Sequence, residues 1–358
     1  MITALLAITM IPSQDLRAKL TTEATAIMRQ YDLPSIAVAY VERDNIIATA
    51  VGTRVRGEKI PVTVNDIYHH GSNTKSMTAT LLAMLVDEKK LKWDSTLAEL
   101  FPDFDDMHED YRKVTLRQLL AHQSGMEGTY PVRKGNWFNP PEPVMEVRKK
   151  HAQMCLAEPP SFVPGSAAKY SNKNYVIAGH IIERITQRPW EEVITERLFK
   201  PLGMRSAGFG PAGTPGKKDQ PWPHIYDGKT WKVITNNPTA DNPPVMGPAG
   251  RVHASLPDLA KYVQAHVSMD PIVSKEGWKM LHDQVGGEQF ALGWIVVGRS
   301  WAKGNALTHS GNNTMNTSLI WAAPNAGFGI IVCTNADTPK VHEALDKLVG
   351  KVLQVVLQ

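Results

Sequence analysis

Ser72 and Lys75 stand three residues apart in the corner His69-His70-Gly71-Ser72-Asn73-Thr74-Lys75-Ser76-Met77, at the head of an apolar run. On a helix, side chains three apart share a face, so a hydroxyl and an amine become neighbours there. Over residues 77–86 nearly every side chain is apolar, Met77, Leu81, Leu82, Met84, Leu85 and Val86 among them. A helix that is apolar nearly all round belongs in a core. A lysine at the buried start of such a helix loses hydration, which draws its pKa down toward that of a proton acceptor. The free N–H groups of the helix start favour negative charge developing beside them. A nucleophile, a base and an electrostatic cradle thus fit within four residues. A serine at a helix start is also an ordinary N-cap, and the pair alone reads equally well that way.

Ser-x-x-Lys occurs three times, as Ser72/Lys75, Ser166/Lys169 and Ser300/Lys303. The second lies in a Pro-Gly turn and the third in a polar stretch, 299–305, that reads as a hairpin loop. Only the first opens a buried helix. Two further motifs complete a set. Tyr170-Ser171-Asn172 immediately precedes a helical pattern, and Tyr-x-Asn occurs nowhere else in the chain. A helix cap by Ser171 or Asn172 beside an incidental tyrosine is the plain alternative. His309-Ser310-Gly311 ends an expected strand and can equally be a turn.

The elements that must position these residues follow from pattern. Helical spacing runs over 15–31, then two β-branched runs, 35–41 and 46–51, flank the polar turn 42–45 as a hairpin. After the apolar helix the signals are helical: from Asp94 or Ser95 to near Pro102, from Thr115 to 124–125, over 143–156 and over 172–186, with Pro189 in the first turn of the next. Residues 207–249 are rich in Gly and Pro and read as a long surface loop that can form a functional wall. Aromatics there and in 130–138 either wall a hydrophobic pocket or cover the core. Ser255-x-x-Asp258 is a capping signature for a helix through Val267. Strands are expected over 290–297, 306–309, 317–323 and 328–334, and a helix over 339–357. Strands at both ends and helices between them predict an α+β lobe from 12–71 and 248–358, an inserted helical lobe from 72–247, and a cleft between.

The chain of 358 residues is long enough for two such cores. It contains no run of 18 apolar residues, so no membrane-spanning helix is expected. A net charge of +4 without a basic, aromatic-interleaved run speaks against nucleic-acid binding. Neither phosphate-binding glycine motif follows a strand, which speaks against nucleotide cofactors. None of the twelve histidines has metal-ligand spacing, and adjacent His69 and His70 must point apart. No metal site is expected. Cys155 and Cys333 read as buried free thiols. Residues 1–11 have the apolar character of a signal h-region without a positive n-region or an Ala-x-Ala site. They are either a leader, which points to a bacterial periplasmic setting, or an element packed on the body.

In order and context, the three motifs resemble those of the serine β-lactamase and penicillin-binding superfamily, in its class C-related branch of carboxylesterases and D-peptidases. Val114-Thr115-Leu116-Arg117-Gln118-Leu119-Leu120-Ala121-His122-Gln123-Ser124-Gly125, Leu202-Gly203-Met204 and Gly293-Trp294 extend the likeness along nearly the whole chain. The resemblance implies a β-lactamase/transpeptidase-like fold, an antiparallel sheet flanked by helices with an all-helical lobe and the active site in the cleft. It implies that Ser72 is acylated, that Lys75 and Tyr170 share the proton work, and that Asn172 holds the substrate amide or the lysine. His309, Ser310 and Gly311 would orient substrate, and the N–H groups of Ser72 and Asn312 would form the oxyanion hole, with no cofactor. One departure stands out. Class C β-lactamases carry Lys-Thr-Gly where this chain has His309-Ser310-Gly311. Histidine is mostly neutral at pH 7, so the positive charge for a β-lactam carboxylate is missing unless Arg251 or Lys303 replaces it. The expected activity is therefore small-ester hydrolysis. The alternatives are a β-lactamase, a D-Ala-D-Ala carboxypeptidase or D-aminopeptidase, and a silent penicillin-binding-like binding protein.

Overall fold

The computed structural model describes residues 13–128 and 138–357. Six antiparallel strands form the main sheet, in the spatial order Ile46–Gly52, Ser35–Glu42, Phe328–Thr334, Thr317–Ala323, Gly304–Asn312, Ile295–Arg299. The two chain ends thus pair at its centre, where Ala37 stands opposite Cys333 and Glu42 opposite Phe328. Strand alternation divides these runs between two cores. Ile36, Val38, Ile330 and Val332 pack under the helices Ser13–Gln30 and Pro339–Val356, while Ala37, Ala39, Ile331 and Cys333 face the helix Leu256–Ser268 and the interior. Both faces are covered, which is why the runs are continuously apolar.

The helix Thr74–Asp87 is the axis of the other side of the molecule, with twelve of its fourteen residues buried. Against it lie the helices Asn172–Thr186 and Lys275–His282 and the single turn Gly247–Gly250. Thr115 caps Leu116–Leu120 in a complete capping box with Gln118, as the Thr-x-x-Gln spacing implies. The Ser255/Asp258 signature does not form one. Ser255 occupies the N-cap position without a side-chain cap bond, because Asp258 instead accepts from the Ser206 backbone N–H and hydroxyl. Pro189 is likewise the N-cap of Trp190–Ile194 rather than a first-turn residue.

Residues 207–249 depart from a plain surface loop. They contribute Gly208–Phe209 to a small sheet with Ile67–His69 and Val252–Ser255, and a hairpin, His224–Tyr226 with Trp231–Val233, beside Ala336–Asp337. Trp231 packs on the core beneath the terminal helices, so it covers the core. The segment over 290–297 is a strand only from Ile295, because Gly293 turns at φ +83° and Ala291 and Trp294 close a tight bend. Cys155 and Cys333 are both buried and free. The expectations for residues 1–11 and for Tyr130 and Trp137 fall outside the described residues. Among the described residues, no helix is long and apolar enough to cross a membrane.

Candidate active site

The corner at Ser72 is made by backbone contact between distant segments. The strand Ile67–His69 ends, Gly71 turns with φ +48°, and a 3-10 turn, Gly71–Asn73, feeds the central helix. A Cβ on Gly71 would collide with the Asn312 backbone. One on Gly311 would collide with the His70 carbonyl and stand 2.8 Å from the Ser72 nitrogen. Only glycine admits this approach of strand to turn, so both glycines are explained by packing. Side chains lock the corner: Thr74 Oγ1 donates to Gly71 O (2.7 Å) and accepts from Val252 N (3.1 Å), and Asn73 Nδ2 donates to Ser318 O (3.2 Å). His70 points away from His69 as expected, its ring nitrogens 3.2 Å from Ser318 Oγ and Ala254 O.

Lys75 is fully buried and its Nζ has three oxygen neighbours: Ser72 Oγ at 2.9 Å, Asn172 Oδ1 at 2.7 Å and Ala249 O at 2.6 Å. Burial holds its pKa well below the ordinary lysine value. A neutral amine has two protons and one lone pair. Asn172 Oδ1 and the Ala249 carbonyl can only accept, so when Lys75 is deprotonated they take both of its protons and the lone pair is left for the Ser72 hydroxyl. Ala249 lies in the turn Gly247–Gly250, braced by Arg148, which donates to the carbonyls of Val245 (3.3 Å) and Pro244 (3.1 Å) and pairs with Glu183 and Glu191. Sequence gave no sign of Ala249, since a carbonyl is present at every residue.

Tyr170 closes the group. Its hydroxyl hydrogen-bonds Ser72, and its ring centroid is 4.9 Å from Lys75 Nζ. The residue keeps 37% of its surface accessible, yet its pKa is raised by desolvation. The two observations agree if the ring forms part of the opening while the hydroxyl faces inward. His122 sets the tyrosine's place. It adopts φ +61°, stacks 4.7 Å from the Tyr170 ring, and its Nδ1 accepts the Ser171 N–H at 3.1 Å. Burial, and then the field of Lys75, keep His122 neutral. Ser171 is an N-cap without a side-chain cap bond, its hydroxyl donating to Gly128 O at 3.1 Å.

The third motif divides across its strand. His309 is buried, with its ring centroid 6.1 Å from that of Tyr170 and Nδ1 2.9 Å from its neighbour's carbonyl, Ser310 O. Burial and the field of Lys75 push its pKa down to about 3, so the ring is neutral. Ser310 turns to the opposite face, as alternation requires, and meets the C-terminal helix. Its Oγ is 3.2 Å from His342 Nδ1, and His342 Nε2 is 3.0 Å from Asp337 Oδ1. Neither cation suggested as a substitute for the motif lysine fills that place. Arg251 pairs with Asp241 at 3.3 Å. Lys303 sits in the hairpin turn eight residues before Gly311, about 26 Å along an extended strand, beyond a lysine's reach. Ser72, Lys75, Tyr170, Asn172, His309 and the backbone of Asn312 therefore converge, while the Ser310 side chain stands apart from them. Among the described residues no three His, Cys, Asp or Glu side chains gather as metal ligands.

Comparisons with known proteins bear on the family and the fold. The family described as Beta-lactamase matches residues 20–354. Penicillin-binding protein 4 of Amycolatopsis lactamdurans is 26% identical over 361 aligned positions, covering 91% of this chain and 88% of that protein. The octameric penicillin-binding protein homologue from Pyrococcus abyssi superposes with a TM-score of 0.75 at 26% identity, covering 94% of this chain and 78% of that one. The beta-lactamase/D-alanine carboxypeptidase from Pseudomonas syringae superposes with a TM-score of 0.78 at 18% identity, covering 95% of this chain and 99% of that one, and shares the fold.

Proposed function

Because the chain belongs to the Beta-lactamase family, whose members are serine hydrolases, we propose that it hydrolyses small uncharged esters through an acyl-enzyme on Ser72. The observation that carries this reading is the 2.9 Å contact between Ser72 Oγ and a buried Lys75 whose other two directions end on carbonyl oxygens. Lys75 takes the hydroxyl proton as Oγ attacks the ester carbon, which activates an otherwise weak nucleophile. The backbone N–H groups of Ser72 and Asn312 receive the oxyanion. The Oγ–acyl bond forms, the ester C–O bond breaks, and the proton passes through the Tyr170 hydroxyl to the departing alkoxide. Water then repeats the sequence on the acyl-enzyme, with the same pair accepting and returning its proton. Lys75 and Tyr170 share one proton with Ser72 between them, so they titrate as a unit.

Uncharged esters are preferred because His309, at the third motif, is neutral. A substrate carboxylate there gains a hydrogen bond at most, not an ion pair. The deciding experiment labels the protein with a fluorophosphonate and maps the adduct, then compares p-nitrophenyl acetate, nitrocefin and a D-Ala-D-Ala peptide. An adduct on another serine, or full activity in Ser72→Ala, rejects the acyl-enzyme. A higher kcat/KM for nitrocefin or the peptide than for the ester rejects the preference. His309→Lys should raise nitrocefin turnover while ester hydrolysis persists.

A further inference from the structure

One buried carboxylate lies outside the proton-transfer group yet touches a chain neighbour of the oxyanion cradle on each side. Asp241 belongs to the Gly- and Pro-rich segment 207–249, and its side chain has no exposed surface. Three partners from three separate segments surround it. His69 Nε2, at the end of the strand Ile67–His69, is 2.7 Å from Oδ1. Asn313 Nδ2, just after the strand Gly304–Asn312, donates to the same oxygen at 3.1 Å. Arg251 Nε donates to Oδ2 at 3.3 Å. A carboxylate taken out of water persists only with such partners, and it fixes them in turn.

Both arms lead to the cradle. The Gly71 N–H donates to His69 Nδ1 at 3.0 Å, so that nitrogen carries the lone pair and the ring proton sits on Nε2, the nitrogen 2.7 Å from Asp241 Oδ1. The next residue is Ser72. On the other side, Asn313 Oδ1 accepts from the backbone N–H (3.0 Å) and Nδ2 (3.1 Å) of Asn316, closing the turn that begins beside Asn312. Gly71 and Asn312 are in backbone contact. We infer that Asp241 is a positioning residue for ester hydrolysis: through His69 and Asn313 it sets the spacing of the Ser72 and Asn312 N–H groups that receive the oxyanion. The inference rests on the acyl-enzyme reading of Ser72 and goes beyond it, because Asp241 belongs to none of the three motifs.

A residue that sets donor spacing acts on the transition state more than on substrate binding, so its loss appears in kcat. Removing a whole oxyanion donor costs about 10²–10³ in kcat; loosening one should cost about 10–100-fold. The test measures p-nitrophenyl acetate hydrolysis by the full chain and by Asp241→Asn, His69→Asn and the double variant, with thermal unfolding of each. His69→Asn keeps an acceptor near the Nδ1 position while severing the link to Asp241. Asp241→Asn should lower kcat by about 10–100-fold with KM within about 3-fold. The double variant should fall no more than about 3-fold below the weaker single variant, because both substitutions cut one connection. Multiplying effects, a kcat within 3-fold of the unmodified protein, or a loss carried by KM overturns the inference. If Asp241→Asn does not fold, Asn313→Ala decides: at least about 5-fold lower kcat supports the inference and unchanged kcat overturns it. Ser72→Ala is run alongside. Hydrolysis surviving in Ser72→Ala rejects the acyl-enzyme itself, whereas loss there with an unaffected Asp241→Asn rejects only the role of Asp241.

Discussion

Acidification from pH 7 to 5 should destabilise this protein by an amount comparable to its whole folding free energy, because it buries so many neutral imidazoles. His70, His151 and His309 have pKa values pushed down to about 3, and His224, His253 and His282 to about 4, with burial the first cause in each. In the unfolded chain each returns to about 6.5. Between those limits the unfolded state binds more protons than the folded one. Stability is therefore fully present above about pH 6.5 and is lost as pH falls toward 4. At pH 5 each histidine withdraws about 2 kcal/mol, and the six together about 12 kcal/mol as an upper bound. A domain of this kind holds about 5–15 kcal/mol in all. Carboxylates contribute mainly below this window, since their ordinary values lie near 4. Urea unfolding followed by tryptophan fluorescence at pH 7.5, 6.5, 5.5 and 5.0 measures the loss directly. A fall of less than about 2 kcal/mol between pH 7.5 and 5.0 refutes the argument, because it would mean that most of these rings take up protons in place without unfolding.

Further outcomes follow from the site. Tyr170→Phe should lower the rate on p-nitrophenyl acetate by about 10²–10⁴ while the thermal midpoint holds, since only the hydroxyl is lost. Gly311→Ala should abolish fluorophosphonate labelling of Ser72, because the added methyl has no space against the His70 carbonyl. A variant that labels at the unmodified rate contradicts that contact. Arg148→Met leaves the buried Glu183 without its cation and should cost about 3–5 kcal/mol in urea unfolding, with lower kcat as the turn behind Ala249 loosens.

What could be seen in the sequence divides by the range of the cause. The strands 317–323 and 328–334 coincide with their β-branched runs because both faces are buried and local pattern decides. The strands Ile67–His69, Gly208–Phe209 and Val252–Ser255 are too short to show a period, and only their neighbours make them strands. In the site, Ser72 and Lys75 are legible because helical spacing alone brings them together. Asp241 was hidden in a segment whose composition says loop, since its partners lie 10 to 172 positions away in sequence. His122 lay in a motif, but its task depends on a left-handed backbone that residue type does not announce.

The third motif and the lysine form one electrostatic arrangement. Burial holds the Lys75 pKa well below the ordinary lysine value, and two carbonyl oxygens and a hydroxyl surround the amine. His309 is neutral because it is buried, and whenever Lys75 carries its proton the field of that amine disfavours a charge on the ring further. A lysine in place of His309 would bring a charge toward an amine that, on the proposed mechanism, must keep its lone pair. That charge would push the Lys75 pKa lower still, which favours the base, but it would need an anion to offset its own desolvation. A substrate carboxylate can be that anion; an uncharged ester cannot. With histidine at position 309 the site needs no anionic partner in the cleft. On the proposed function, the same residue that would weaken β-lactam recognition leaves the Ser72–Lys75–Tyr170 group complete for a neutral acyl donor.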